Sequence, residues 1–361
     1  MTNDSVKELL LKRRECGGAR SDAAQISLVV EGGGMRGVIG SGALAAIDDL
    51  GLTGCFDHIY GVSAGALNAA CLLGGVASSG ARFYWETLAT GNFLRIDNMF
   101  HGAPIIDLDY LFDEAMAHLG PLSEQIINNH PTRLHIIASS LDRGCAIDLD
   151  ESYGPLYQRL RASACVPVFA GAPVTLNDER FVDGCVFEPF PVDRAFADGA
   201  THVVLLRMRA CRTYTKMQRA EPGGIVLDSV FTWRCRHIHN ASIIRSRDYR
   251  HQIKTFDERA GEPNLMVLVP EISDLRPYTT DIGQLVDGAN EGYAMACKAF
   301  GSNENRPFVA NEYLPTVSTE HRQLSLRATT AGMLMSAGAA YAALRSYNHY
   351  HHNVPVATSV V

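Results

Sequence analysis

An α/β fold with a mostly parallel central sheet, covered by helices on both faces, is the architecture this sequence predicts. Two observations carry that reading. Short apolar runs rich in Val, Ile and Leu recur along the chain, and stretches with helical spacing of apolar and small residues separate them. Strands that alternate with helices join into parallel sheets through right-handed crossovers, and runs without polar alternation are strands buried on both faces. Composition agrees: 361 residues, 47% hydrophobic and 20% charged, supply a large core and argue against global disorder.

Residues 26–30 (ISLVV) read as the first buried strand, ending at the cluster Gly32-Gly33-Gly34-Met35-Arg36-Gly37. Residues 38–50 follow at helical spacing and stop near Gly51. His58-Ile59-Tyr60 leads as a second strand into Ser63, and residues 64–73 read as a helix ending at Gly74-Gly75. Residues 133–139 (RLHIIAS) and 201–208 (THVVLLRM) are two further buried strands. Between them, 158–164 is helical ahead of Pro167, and Arg180-Phe181-Val182-Asp183-Gly184 is a strand ending in an acid on a turn. Residues 191–198 form a helix that feeds 201–208. Beyond Arg212 the texture changes: 225–258 is a long helical stretch carrying Arg234, Arg236, His237, His239, Arg247 and Arg250, a solvated face or one drawn to anionic lipid head groups. Residues 265–269 add a strand and 284–300 a helix.

The net charge of -7 argues against a nucleic-acid binder. Nine cysteines, at 16, 55, 71, 145, 165, 185, 211, 235 and 297, form no C-x-x-C pair and are odd in number. Neither a disulfide framework nor a zinc site is expected, and free thiols point to a reducing cytoplasm. The polar N-terminus, with Lys12-Arg13-Arg14, is no signal-peptide core. Residues 328–344 carry no charge but are rich in Ala, Gly, Ser and Thr, which suits a helix packed on protein better than a membrane span. His349, His351 and His352 belong to a solvated tail rather than a metal site.

Gly61-Val62-Ser63-Ala64-Gly65 is G-x-S-x-G, a sequence that places serine on a tight turn between strand and helix. A serine nucleophile needs a base and a place for developing negative charge. The 32–37 cluster, just after an earlier strand, can present backbone N–H groups to an oxyanion. Gly32-x-Gly34-x-x-Gly37 also satisfies the dinucleotide-binding fingerprint. That fingerprint expects an acid about 20 residues on, at the end of the second strand, which here ends at Ser63. For the base, His202, His237 and His239 are candidates for a Ser-His-Asp arrangement, but none stands in a glycine-rich turn. Asp183 does, ahead of Gly184, and a carboxylate against the serine hydroxyl can serve directly as base.

The Gly-Gly-Gly-x-Arg-Gly run at 32–37, G-x-S-x-G at 61–65 and Asp183-Gly184 resemble, in that order, the motifs of the patatin-like phospholipases. A fourth stretch, Arg161 to Phe169, looks like that family's A-S-x-x-x-P-x-x-F segment. The resemblance covers about residues 25 to 210, and the part with Arg247, Asp248 and Tyr249 is similar to bacterial members with a C-terminal extension. It implies a three-layer α/β fold and a lipid acyl hydrolase with a Ser–Asp dyad, using neither metal nor organic cofactor. Ser63 would be the nucleophile between elbow glycines Gly61 and Gly65, and Asp183 the base. Gly32 to Gly37 would form the oxyanion loop, with N–H donors from Gly33, Gly34 and Met35. Arg36 would hold that loop, face a lipid phosphate, or lie on the surface. Cys185 departs from the family, which usually has Gly or Ala after Asp-Gly. The implied substrate is a phospholipid or other acyl-ester lipid, in a cytoplasmic setting with room for peripheral membrane contact. The expected parts are a polar segment at 1–24, a catalytic domain at 25–212, a helical extension at 213–325, and a small-residue helix with tail at 326–361.

Overall fold

A computed structural model describes residues 4–209 and 251–302, apart from 96–97, 99–102, 120–121, 168 and 272–274, together with residues 249, 307 and 308. The helix expected at 328–344, the histidine tail, and all but Tyr249 and His251 of the basic 234–251 stretch lie outside the described residues.

Five strands run parallel: β1 (Ile26–Val30), β2 (His58–Val62), β3 (Arg133–Ser140), β7 (His202–Leu206) and β8 (Leu265–Leu268). Three more, β4 (Cys145–Asp148), β5 (Val174–Leu176) and β6 (Glu179–Asp183), add antiparallel pairings. The order is β5-β6-β3-β2-β1-β7-β8, with β4 also paired to β3. The mostly parallel sheet expected from the alternating runs is therefore present, with an antiparallel edge. Every residue of β1 is buried, as expected of a central strand without polar alternation.

Alternate residues feed two cores. Leu28, Val30, Ile59 and Ile136 face one side, where α2 (Gly37–Asp49), α3 (Ala64–Leu73), α4 (Ala77–Glu86), α5 (Glu124–Asn128), α6 (Leu156–Ser163) and α8 (Ile282–Ala299) pack. Val29, Tyr60, Val62 and Ile137 face the other, against α7 (Val192–Ala197) and Ile253 and Phe256 from helical residues 251–258. This is a three-layer α/β arrangement. β8 extends the sheet and α8 packs along α2 through Ala289 and Gly292, so both core and sheet continue past residue 212.

The N-terminal polar segment holds more structure than its composition suggests. Helix α1 (Val6–Glu15) starts with a capping box, Ser5 Oγ accepting from the Glu8 N–H while the Glu8 carboxylate accepts from the Ser5 N–H. Its Val6, Leu9 and Leu10 are buried in the larger core. β4 and β5 were not expected either. They are three or four residues long, half-exposed and without periodicity. The β5–β6 hairpin turns at Asn177-Asp178, both with positive φ (48° and 61°), as a two-residue hairpin turn requires.

Register places the functional loops. Val30 of β1 lies opposite Gly61 of β2, so the 32–37 loop and Ser63 leave neighbouring strand ends together. Val62 pairs with Ile137 of β3, and the next β3 residue, Ala138, pairs with Asp183. Extending that register by one puts Ser63 level with Asp183, 120 residues away in sequence.

Candidate active site

Ser63 is the residue between β2 and α3, with φ 55° and ψ -126°. A positive φ in a residue with a Cβ is costly, by about 1–3 kcal/mol, and persists only where the surroundings impose it. Here they do. The Ser63 N–H donates to Ser163 Oγ at 2.9 Å, and Ser163 Oγ donates in turn to the Ile137 carbonyl at 2.6 Å. The Ser63 carbonyl accepts from the N–H groups of Ala66 and Leu67 in the first turn of α3. Gly61 and Gly65 flank the turn and lack the side chains that would hit Ala66 and the Val30 carbonyl. The turn thus places Ser63 at a helix N-terminus, whose dipole favours negative charge.

Ser63 Oγ donates to Asp183 Oδ2 at 2.6 Å, with both residues buried. The other carboxylate oxygen, Oδ1, accepts from the Cys185 N–H at 2.8 Å, and the Asp183 N–H donates to the Cys165 carbonyl. The carboxylate is thereby oriented from both sides, and Gly184 begins the short helical turn that supplies one of those donors. A hydroxyl held this way can pass its proton directly to the carboxylate. Burial, then the charge of Asp183, pushes the neighbouring Cys165 thiol up to about 11, which keeps it un-ionised and inert at neutral pH.

The glycine loop lies directly against this pair. A Cβ on Gly32 would stand 3.0 Å from Ser63 Cβ and 2.6 Å from Cys185 Sγ, so only glycine lets the loop approach so closely. Cys185, the departure from the family pattern, fits: its sulfur fills the space beside Gly32. Gly34 has φ +57° and starts a 3₁₀ turn, Gly34–Arg36, that runs into α2 at Gly37. Among the described residues, no protein acceptor takes the N–H of Gly33 or Gly34. The Met35 N–H is different, since it donates to the Pro277 carbonyl at 2.9 Å. That bond removes Met35 from the candidate oxyanion donors. Arg36 is buried, and its Nε donates to the Leu275 carbonyl at 2.8 Å, so of its three expected placements the structure has the one that holds the loop.

Beside Ser63 opens an apolar cleft that encloses about 600 Å³ including its mouth. Met35, Leu67, Phe83, Phe93, Leu108 and Val166 line it. At its inner wall Tyr84 Oη donates to Asn68 Oδ1 at 3.0 Å, and Asn68 Nδ2 donates to the Gly37 carbonyl at 2.8 Å, which satisfies polar groups that burial would otherwise strand. Burial raises the Tyr84 phenol above its ordinary pKa.

His202 does not belong to this site. It begins β7 opposite Ile26, the first residue of β1, whereas Ser63 follows the last residue of β2. The two sit at opposite ends of the sheet, roughly 15–20 Å apart along the strand direction, and the His202 ring contacts Thr201 and the Asp4 carbonyl. His237 and His239 lie outside the described residues. Among those residues no group of three His, Cys, Asp or Glu could hold a metal ion, and no helix is long and apolar enough to cross a membrane.

Fold and geometry together define an α/β protein with a strained serine at a strand–helix elbow, bonded to a buried carboxylate under a glycine loop. Residues 28–196 match the family model described as Patatin-like phospholipase, and the chain carries a domain of that family. Ser63, Asp183 and the whole glycine loop fall inside the match. A curated relative, "Uncharacterized protein YjjU" of Escherichia coli (strain K12), is 26% identical over 204 residues, 53% of this chain and 54% of that protein. The chain thus spans about half the length of the curated relative it matches. Among solved structures, VipD from Legionella pneumophila is similar with a TM-score of 0.44 and 12% identity, covering 78% of this chain and 67% of that one.

Two parts of the site were not readable from its motifs. Ser163 lies in the segment that carried the resemblance, yet its task of holding the Ser63 N–H shows only in three dimensions. The contacts of Met35 and Arg36 with residues 275–277 join parts of the chain about 240 positions apart.

Proposed function

We propose that this protein is a lipid acyl hydrolase that cleaves carboxylic esters through an acyl-enzyme on Ser63, with Asp183 as the base. The observation that carries the proposal is the 2.6 Å hydrogen bond from Ser63 Oγ to Asp183 Oδ2, set beside an apolar cleft. The family match over residues 28–196 supports the reaction class.

In this reading the acyl chain of a phospholipid or other acyl-ester lipid lies in the cleft, which brings the ester carbonyl to Ser63. Ser63 Oγ attacks the carbonyl carbon as its proton passes to Asp183 Oδ2. The carbonyl oxygen becomes an oxyanion facing the N–H groups of Gly33 and Gly34. Collapse breaks the bond to the alcohol, which leaves with the proton from Asp183. Water then attacks the acyl-enzyme and gives a proton to Asp183. Ser63 departs and takes that proton back, and the fatty acid is released. Each proton moves between Ser63, Asp183, the alcohol and water.

A fluorophosphonate probe tests the proposal. Intact protein mass should rise by one adduct, and peptide mapping should place it on Ser63. A protein that hydrolyses p-nitrophenyl esters with Ser63 unlabelled would overturn the assignment.

Ser163 provides a second measurement. Ser163→Ala leaves the Ser63 N–H buried without its acceptor, at a cost of about 1–3 kcal/mol. The elbow should relax toward an unstrained conformation, and kcat should fall roughly tenfold or more. Steady-state kinetics beside a thermal melt separates this from unfolding.

A further inference from the structure

The glycine loop is held from outside the matched domain. Residues 275–278 cross over it just before α8, beyond the match that ends at residue 196. Two bonds form the clamp: Met35 N–H to the Pro277 carbonyl at 2.9 Å, and Arg36 Nε–H to the Leu275 carbonyl at 2.8 Å. The fit is close enough that a Cβ on Gly34 would lie 2.6 Å from the Pro277 oxygen.

The crossing segment is itself anchored. Leu275 is buried against α8, where a Cβ on Gly288 would meet its Cδ1 at 2.5 Å. The Thr279 N–H closes a turn onto the Arg276 carbonyl, and Asp281 caps α8 by accepting from the Gln284 N–H. Pro277, with its fixed φ and exposed ring, stiffens the middle. A rigid helix thus holds the segment, and the segment holds the loop.

We infer that residues 275–277 are a positioning element of the active site, fixing the loop so that the N–H groups of Gly33 and Gly34 face the space in front of Ser63. This rests on the proposed hydrolase reading. Three observations favour positioning over a removable cover. The contact takes the Met35 N–H, but with it in place no protein acceptor among the described residues takes the N–H of Gly33 or Gly34, so two candidate donors are left for the oxyanion. The Arg36 bond is buried, and a buried charge-assisted bond is costly to leave unmade. Gly34 and Met35 already line the cleft beside Ser63 with the segment in place. The part of the chain past residue 212 then completes the catalytic loop rather than being an accessory to it.

Three variants of the whole chain test this, read by kcat, KM and the rate of fluorophosphonate labelling, with a thermal melt as control. Arg36→Ala removes one clamp and should lower kcat and labelling rate together, about ten- to a hundredfold, with KM changed less than threefold. Arg36→Lys, which keeps a charged donor, should recover part of the loss. Pro277→Gly leaves the core untouched and loosens the segment, and kcat should fall about threefold. A rise in kcat in Arg36→Ala or Pro277→Gly would show an inhibitory cover, and unchanged kcat in both would show an inert contact. Either result overturns the inference while wild-type turnover stands. A wild-type protein with neither turnover nor labelling would instead sink the hydrolase reading.

Discussion

Ser63→Ala and Asp183→Asn should each lower turnover of a short-chain p-nitrophenyl ester by about 10⁴- to 10⁶-fold, with the double variant no worse than the weaker single. The non-additivity follows from the geometry. The hydroxyl and the carboxylate share one short hydrogen bond, and in the proposed mechanism they carry out one proton transfer, so removing either would remove the step. Asp183→Asn is nearly isosteric and still offers an oxygen to the Cys185 N–H, so its loss would report basicity rather than structure. KM should move little, because apart from Ser63 the cleft is lined by residues that these variants leave in place. A third single variant adds a stability readout. Ser63 carries a positive φ that glycine adopts at little cost, so Ser63→Gly should melt at a higher temperature than wild type, by about 1 kcal/mol of stability, while being inactive. A thermal melt of the three variants beside steady-state kinetics would display both sides of that strain. Retention of activity within tenfold in Asp183→Asn would dismiss the carboxylate as base.

Much of this site was legible in the sequence because each part is local. A buried apolar run followed by Gly32-Gly33-Gly34 and another followed by Gly61 to Gly65 each mark a strand end with a tight turn, and parallel register then brings the two ends together. Asp183-Gly184 was legible for the same reason, although its strand turned out antiparallel and paired to β3. What was hidden depends on distant partners. Whether the Met35 N–H is free cannot be read from residues 32–37, because its acceptor is Pro277. Arg36 had three plausible environments until its buried bond to Leu275 selected one. His202 looked available as a base because sequence gives no strand direction, and register alone puts it at the wrong end of the sheet. Helix α1 was underestimated because charge hides its few buried residues, although Ser5 and Glu8 carry a capping signal.

The second large effect concerns Arg13, a charge at that opposite end. Its side chain is 1% exposed, and each of its guanidinium N–H groups is used. Nε and Nη2 donate to Asp22, Nη1 to Asp57 and the Cys55 carbonyl, and Nη2 also to the Ala24 carbonyl, all between 2.6 and 2.9 Å. Asp57 in turn accepts from the Ile26 N–H at 2.7 Å, so this cluster fixes the start of β1 and ties α1 to it. Arg13→Met keeps most of the side-chain volume but leaves the Asp57 charge buried, with Arg20 at 3.4 Å as partial compensation. Breaking a buried pair on one side costs about 3–5 kcal/mol. With Arg20 still present we expect the lower end, a fall in Tm of roughly 6–12 °C. Neutralising the stranded charge distinguishes this cause from lost packing: Asp57→Asn added to Arg13→Met should recover about half of the deficit, and no recovery would refute the buried-charge account. The loss should also depend on pH. The Arg13 hydrogen bonds hold the Asp22 carboxyl below its ordinary range, so the stability from that pair is complete above the unfolded value of about 3.9 and disappears as pH falls below it. The gap between wild type and Arg13→Met should therefore narrow from pH 5 toward pH 3 in chemical denaturation. Turnover at 20 °C should stay within about twofold of wild type, because the cluster lies at the far end of the strands from Ser63 and strain there has no short path to the elbow.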